Sequence, residues 1–189
     1  NYEKAVKESV LSKRTYEECF EGTGGKYKKE NYTNCLMVED STYLVEPIKG
    51  IWLLAIDANV YVPTKEINNE NHKDPQNFVG SSNAGYNKMI SHKTQTVDWI
   101  AEVVKKANEE GKILITFSHF PMVDFYDNNS KILEEIFGEG KLDLKRIPTE
   151  DTEKIMAKTG VRLNIAGHLH FNDTGVRKYD SGEFLVNVQ

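Results

Sequence analysis

The stretch Val161-Arg162-Leu163-Asn164-Ile165-Ala166-Gly167-His168-Leu169-His170 decides how the rest of the chain is read. Its first six residues predict a β-strand, which runs without a spacer into glycine and a His-x-His pair. Imidazole is the commonest neutral metal ligand and suits Zn, Fe, Mn or Ni. In an extended segment the two rings of His-x-His point to one side. In a turn they diverge and can serve two adjacent metals. Gly167 lets the backbone bend sharply or come close to a site.

Upstream, the same pattern recurs. Ile113–Phe117 is a continuous apolar run followed by Ser118-His119-Phe120-Pro121, and Ile51–Ile56 is another, followed by Asp57-Ala58-Asn59. Continuous rather than alternating apolarity predicts strands covered on both faces. Thr94–Glu110 has helical spacing, with Val97, Ile100, Ala101, Val104 and Ala107 on one face and Gly111 as the stop. Ser130–Phe137 and Thr149–Lys158 predict two further helices, and Asp173–Tyr179 with Glu183–Val188 a hairpin joined at Ser181-Gly182. Pro47–Gly50 reads as a turn, and residues 63–93 as an irregular, polar surface insertion. Before it, Tyr2–Lys13 and Thr15–Phe20 read as helices, and Asn34–Val38 and Ser41–Val45 as strands.

Strand–helix–strand order implies an α/β sheet with helices packed on it. In such sheets, groups at the carboxyl ends of adjacent parallel strands converge where ligands bind. Asp57, His119 and the pair His168/His170 occupy those ends. A lone histidine at a strand end is most often simply hydrogen-bonded. Three on one sheet edge point instead to a metal site made of His119, His168 and His170. His72 and His92 lie in the polar segment and read as solvated. Phe120, Phe125 and Tyr126 come just after His119 and fit either a substrate wall or the core.

Composition narrows the classes. The 189 residues are 39% apolar and 28% charged, which is a globular balance. A net charge of −5 argues against a surface built to neutralise nucleic acid. No apolar run reaches membrane-spanning length. Cys19 and Cys35 form no Cys-x-x-Cys pair; they read as two thiols, with a disulfide closing the Gly22–Lys29 turn as the alternative in an oxidising compartment. Residue 1 is Asn, the first helix is already under way there, and the last strand has no closing segment, so the chain is expected to be a piece of a longer protein.

The position of His-x-His separates candidate families. A metallo-β-lactamase site needs an Asp-His pair after it, whereas Phe171-Asn172-Asp173 stands there in this chain. An amidohydrolase barrel places it on the first strand, whereas here little chain remains beyond His170. The order is a strand ending at Asp57, a helix with Gln95 and Trp99, a strand into Ser118-His119-Phe120-Pro121, and a strand into Gly167-His168-Leu169-His170. It resembles the carboxyl-terminal half of a calcineurin-like metallophosphoesterase domain, from about Ile51 onward. The resemblance implies a fold of two mixed β-sheets flanked by helices, with the amino-terminal half absent, so that residues 1–189 are a portion of a single domain. It also implies two divalent or trivalent metal ions, one held by His119 and His168 and the other by His170, and a metal-held hydroxide that hydrolyses phosphate mono- or diesters.

The upstream motifs of that superfamily, Asp-x-His, Gly-Asp-x-x-Asp and Gly-Asn-His-Asp/Glu, do not occur; Asp57-Ala58-Asn59 and Asn71-His72 are not substitutes. Three neutral imidazoles do not balance two divalent cations. The chain alone is therefore expected to bind metal weakly and be inactive, needing the missing half of the domain or a partner chain beside its phosphoester substrate. The alternatives are a non-catalytic binding module on the same fold and a mononuclear zinc hydrolase built from the three histidines.

Overall fold

A computed structural model describes residues 42–60, 64–66, 75–77, 84–138 and 146–189. Three apolar runs form the centre of one sheet: β2 (Ile51–Ile56), β3 (Ile113–Ser118) and β4 (Leu163–Ala166) lie side by side and parallel. β1 (Tyr43–Ile48) pairs antiparallel with β2 across a turn at Lys49-Gly50. The sequence pattern ends this strand at Val45 and gives Pro47 to the turn. The strand instead continues through a register shift between Val45 and Ile48. Proline is tolerated there because Pro47 falls within that register shift, where its missing N–H breaks no paired rung. The expected hairpin is β5 (Thr174–Lys178) with β6 (Phe184–Val188), and β6 also pairs parallel with β4.

The result is a single mixed sheet of six strands in the order β1-β2-β3-β4-β6-β5, with four α-helices among the described residues. The chain is α/β, as its strand–helix–strand order predicts. The second sheet implied by the resemblance is not among the described residues. The segments Tyr2–Lys13, Thr15–Phe20 and Asn34–Val38, with Cys19 and Cys35, lie outside them.

The helices are α1 (Tyr86–His92), α2 (Thr94–Glu109), α3 (Ser130–Phe137) and α4 (Glu150–Lys158). The core side of α2 buries Thr96, Ile100, Val103, Val104 and Ala107, one apolar stripe at helical spacing. On α4 the Thr149 hydroxyl accepts from the Thr152 N–H at 3.3 Å, and Glu150, Asp151 and Glu153 complement the positive end of the helix. The first helix corrects the sequence reading. Residues 63–93 read as an irregular surface segment, yet 86–92 are helical and Ala84, Tyr86, Met89 and Lys93 are buried. So short a helix contributes only Tyr86 and Met89, three residues apart, to the core. The Asn, Lys and Ser around them hide the period. Gly85 begins it at φ 106°, a conformation that side chains disfavour, and donates its N–H to the Ala58 carbonyl at 2.8 Å.

One face of the sheet meets the helices. Leu44, Trp52, Leu54, Ile56 and Leu185 join α1, α2 and α4 residues in one core cluster. Each fully buried leucine there stabilises the fold by about 2 kcal/mol. On the other face Ile113 is 62% exposed, Ile165 47% and Phe184 41%, whereas Ala55 is buried and Leu53, Ile115 and Phe117 are half-buried. The expectation of cover on both sides is met at Ala55 and not at those three exposed residues.

Candidate metal centre

Strand register brings the candidate residues to one level. Ile56 pairs with Ser118 and Ser118 with Ala166, so Asp57, His119 and Gly167 each stand one step past the carboxyl end of three adjacent parallel strands. The Gly167 N–H donates to the His119 carbonyl at 3.1 Å, continuing the ladder by one rung. The Leu169 N–H then donates to the Gly167 carbonyl at 3.0 Å, which closes a three-residue turn around His168 at φ 78°. A γ-turn of positive φ is rare and strained. His170 is left-handed as well, at φ 60°. The bend that the sequence suggests for Gly167 is thus taken by the two histidines themselves, because the glycine is held in the ladder.

That turn carries the His168 ring to His119. Nδ1 of His168 and Nε2 of His119 are 3.2 Å apart, with the ring planes inclined at 71°. Two imidazole nitrogens bound at about 2.05 Å to one tetrahedral cation stand about 3.3 Å apart. Phe120 packs its ring against both imidazoles, 4.8 Å from each centroid. His170 is not drawn into the same cluster: among the described residues no three His, Cys, Asp or Glu side chains gather as one cation's ligands. The donors therefore fit two positions of a coordination sphere. A third and fourth would have to come from elsewhere.

Asp57 is engaged otherwise. Its Oδ1 accepts from the Asn59 N–H at 3.0 Å and the Asn59 side-chain amide at 2.7 Å, and its own N–H donates to the Thr42 hydroxyl at 3.0 Å. Lys93, 2% exposed, donates its ammonium to the Asp57 carbonyl at 2.6 Å and stands 3.9 Å from the carboxylate. Burial holds the phenol of Tyr86 well above its ordinary range, and the Asp57 charge adds to that.

The His119 loop is fixed from below by polar side chains that sequence reasoning misses. Asn164 and Asn187 are both fully buried on neighbouring strands in direct register. Oδ1 of Asn164 accepts from the Thr116 hydroxyl at 2.9 Å, and its amide donates to Oδ1 of Asn187 at 2.9 Å. The same Asn187 oxygen accepts from the Met122 N–H at 2.8 Å, so β6 holds the loop three residues past His119. Farther on, Asp124 accepts from the N–H groups of Tyr126 and Asn128, both at 2.8 Å. Glu153 on α4 accepts from the Asp124 N–H at 2.6 Å and from Arg177 at 3.2 Å. Arg177 also donates to the Asp124 carbonyl. Gly175 on β5 lies so close that a methyl group there would stand 2.5 Å from Val123. The one signal in the sequence is an Asn at matching places in two apolar strands.

Among the described residues no helix is long and apolar enough to cross a membrane. The sequence matches no family model, and no curated protein matches it.

Proposed function

We propose that this chain supplies part of the metal centre of a metal-dependent phosphoesterase, built like the carboxyl-terminal half of a calcineurin-like domain. The observation that carries the reading is the 3.2 Å approach of His119 and His168 nitrogens, from loops on adjacent parallel strands, at the spacing of two ligands on one cation. Metal ions bound there would supply an activated water and neutralise the phosphoryl oxygens. The chain's own residues then have narrower roles. His119 and His168 would hold the cation, Phe120 packs against both imidazoles, and Asn187 ties the His119 loop to β6. His170, one residue beyond the strained turn, is the candidate ligand of a second ion. With two donors in place and no bridging carboxylate among the described residues, the chain alone holds metal weakly and turns over little substrate.

Titration with Zn²⁺ or Mn²⁺, followed by the histidine ring resonances and by calorimetry, tests this. Weak binding that moves the His119 and His168 signals together, and falls at least about tenfold in His119→Ala or His168→Ala, is expected. Unchanged affinity in both variants would remove the ligand assignment. One tightly held zinc that also needs His170 would favour the mononuclear three-histidine reading.

A further inference from the structure

One helix keeps its apolar side in water. α2 and α4 each bury a stripe of residues, whereas no residue of α3 is buried. Ile132 with Ile136 and Leu133 with Phe137 are i, i+4 pairs on adjoining rows, so the four share one side of the helix. Lys131, Glu134 and Glu135 take the other. Ile132 is 56% exposed, Ile136 68% and Phe137 63%. These three leave on the order of 400 Å² of apolar surface in water, a size of patch that is often functional. The helix is built in advance of any docking. The Leu133 N–H donates to the Asn129 carbonyl at 2.9 Å and the Gly138 N–H to the Glu134 carbonyl at 2.8 Å. Its root is firm: the Asp124 carboxylate accepts from the N–H groups of Tyr126 and Asn128, and Glu153 of α4 accepts from the Asp124 N–H. The segment carrying α3 leaves the sheet after β3 and returns at Arg146, whose guanidinium lies 5.4 Å above the Phe120 ring. Both ends of that segment are thus tethered to the sheet edge that bears His119.

We propose that α3 docks on the surface of a zwitterionic phospholipid bilayer, with Ile132, Ile136 and Phe137 as the side chains that enter it. Eight residues lie on such a surface and cannot span it. Patch size separates this occupant from a protein. A stable protein pair buries about 800 Å² on each partner, roughly twice what these three side chains expose. A lipid interface sets no such minimum, because it takes apolar side chains singly and needs no matching contour. The helix is already folded, so no ordering cost is set against the burial. Charge selects the lipid. The polar side of α3 carries two acids and one lysine, and the chain has a net charge of −5, so an anionic bilayer attracts neither. The docking goes beyond the phosphoester reading and does not require it. Where both hold, ester head groups of the bilayer are brought to the edge of the sheet that carries the metal ligands.

The test uses the whole chain in metal-free buffer. Binding is read by co-sedimentation with sucrose-loaded phosphatidylcholine vesicles at millimolar lipid, and by amide resonances in phosphatidylcholine bicelles doped with a nitroxide-labelled lipid. Weak, reversible co-sedimentation is expected, and the nitroxide should broaden the signals of residues 132–137 more than those of β1 or α2. Ile136→Ser combined with Phe137→Ser should lower the partition coefficient about tenfold. Phe137→Trp should raise it, because indole favours the membrane–water interface. Ile48→Ser changes an isoleucine on β1 that is 64% exposed, and should leave binding unchanged. Replacing part of the lipid by phosphatidylserine should not strengthen it. No co-sedimentation of the natural chain, undiminished binding by the double variant, an equal loss in Ile48→Ser, or binding that needs phosphatidylserine overturns the proposal. A concentration-dependent dimer that the double variant abolishes, with no binding to vesicles, overturns it in favour of a second copy. Metal plays no part in these readouts, so the docking and the metal centre fail separately.

Discussion

The two edges of the sheet are held in opposite ways. At the amino ends of the parallel strands the contacts are superficial. The Glu46 carboxylate accepts from the Gly50 N–H at 2.6 Å and from Lys112 at 2.7 Å, and Arg162 reaches the Phe184 carbonyl at 3.1 Å. Buried contacts hold the carboxyl ends, where Lys93 meets Asp57 and Asn187 meets the Met122 N–H, and the loop that follows β3, where Glu153 meets Arg177 and the Asp124 N–H. Strand geometry is the same at both edges, so the difference lies in the connecting loops and the side chains that meet them. Water can replace a surface contact at little cost. A buried donor or acceptor that loses its partner keeps its desolvation penalty. The edge with the histidines is therefore the one where loop positions are tightly specified.

That contrast can be broken in order of size. Lys93→Met removes the buried ammonium and leaves the Asp57 carbonyl and carboxylate without it; a loss of about 3 kcal/mol in urea unfolding is expected. Stability equal to the natural chain would mean that the buried edge does not depend on this contact. Asn187→Leu strands the Met122 N–H and leaves the Asn164 amide with only the Ser118 hydroxyl as acceptor, and should cost about 2 kcal/mol. It should also weaken metal binding, because the His119 loop loses its tie to β6; full metal affinity in a folded Asn187→Leu would detach the network from the site. The smallest effects are on pH dependence, and they have opposite signs. The Lys112 ammonium, with help from the Gly50 N–H, pulls Glu46 down to about 2. Its contribution is present above the ordinary carboxylate range and is lost as pH falls toward that value. Burial raises Glu153, against the pull of the Asp124 N–H and Arg177. Its contribution is full below the ordinary range and is lost as pH rises through the folded value. Denaturation midpoints measured from acid to neutral pH should therefore lose their acid-side fall in Glu46→Gln and their fall on raising pH in Glu153→Gln. Added salt should erase the first effect and spare the second. The same slope in both variants would remove the contrast between the surface contacts and the buried ones.

Much of the framework is legible in the sequence because it rests on apolar runs and breakers. β2 and β3 announce themselves as almost wholly apolar runs, β4 as a shorter one broken by Asn164, α2 as a stripe closed by Gly111, and α4 as the segment Thr149–Lys158. The meeting of His119 with His168 is legible too, since it comes from their place after parallel neighbours. The hidden parts have a common cause. Asn164, Asn187 and Lys93 are polar residues that are buried because a specific partner waits for each, and no periodicity encodes a partner. The helix Tyr86–His92 has too few turns for a pattern to accumulate. Arg146 stacks on Phe120, a contact across the fold that local sequence does not carry.

The Met122–Asn187 bond also has a temporal side. Its partners are 65 residues apart in sequence, and β6 slots between β4 and β5. As the chain leaves the ribosome, the segment bearing His119 emerges well before the strand that anchors it. Until then water satisfies the Met122 amide, and the loop can take its final position only once β6 has entered the sheet between β4 and β5.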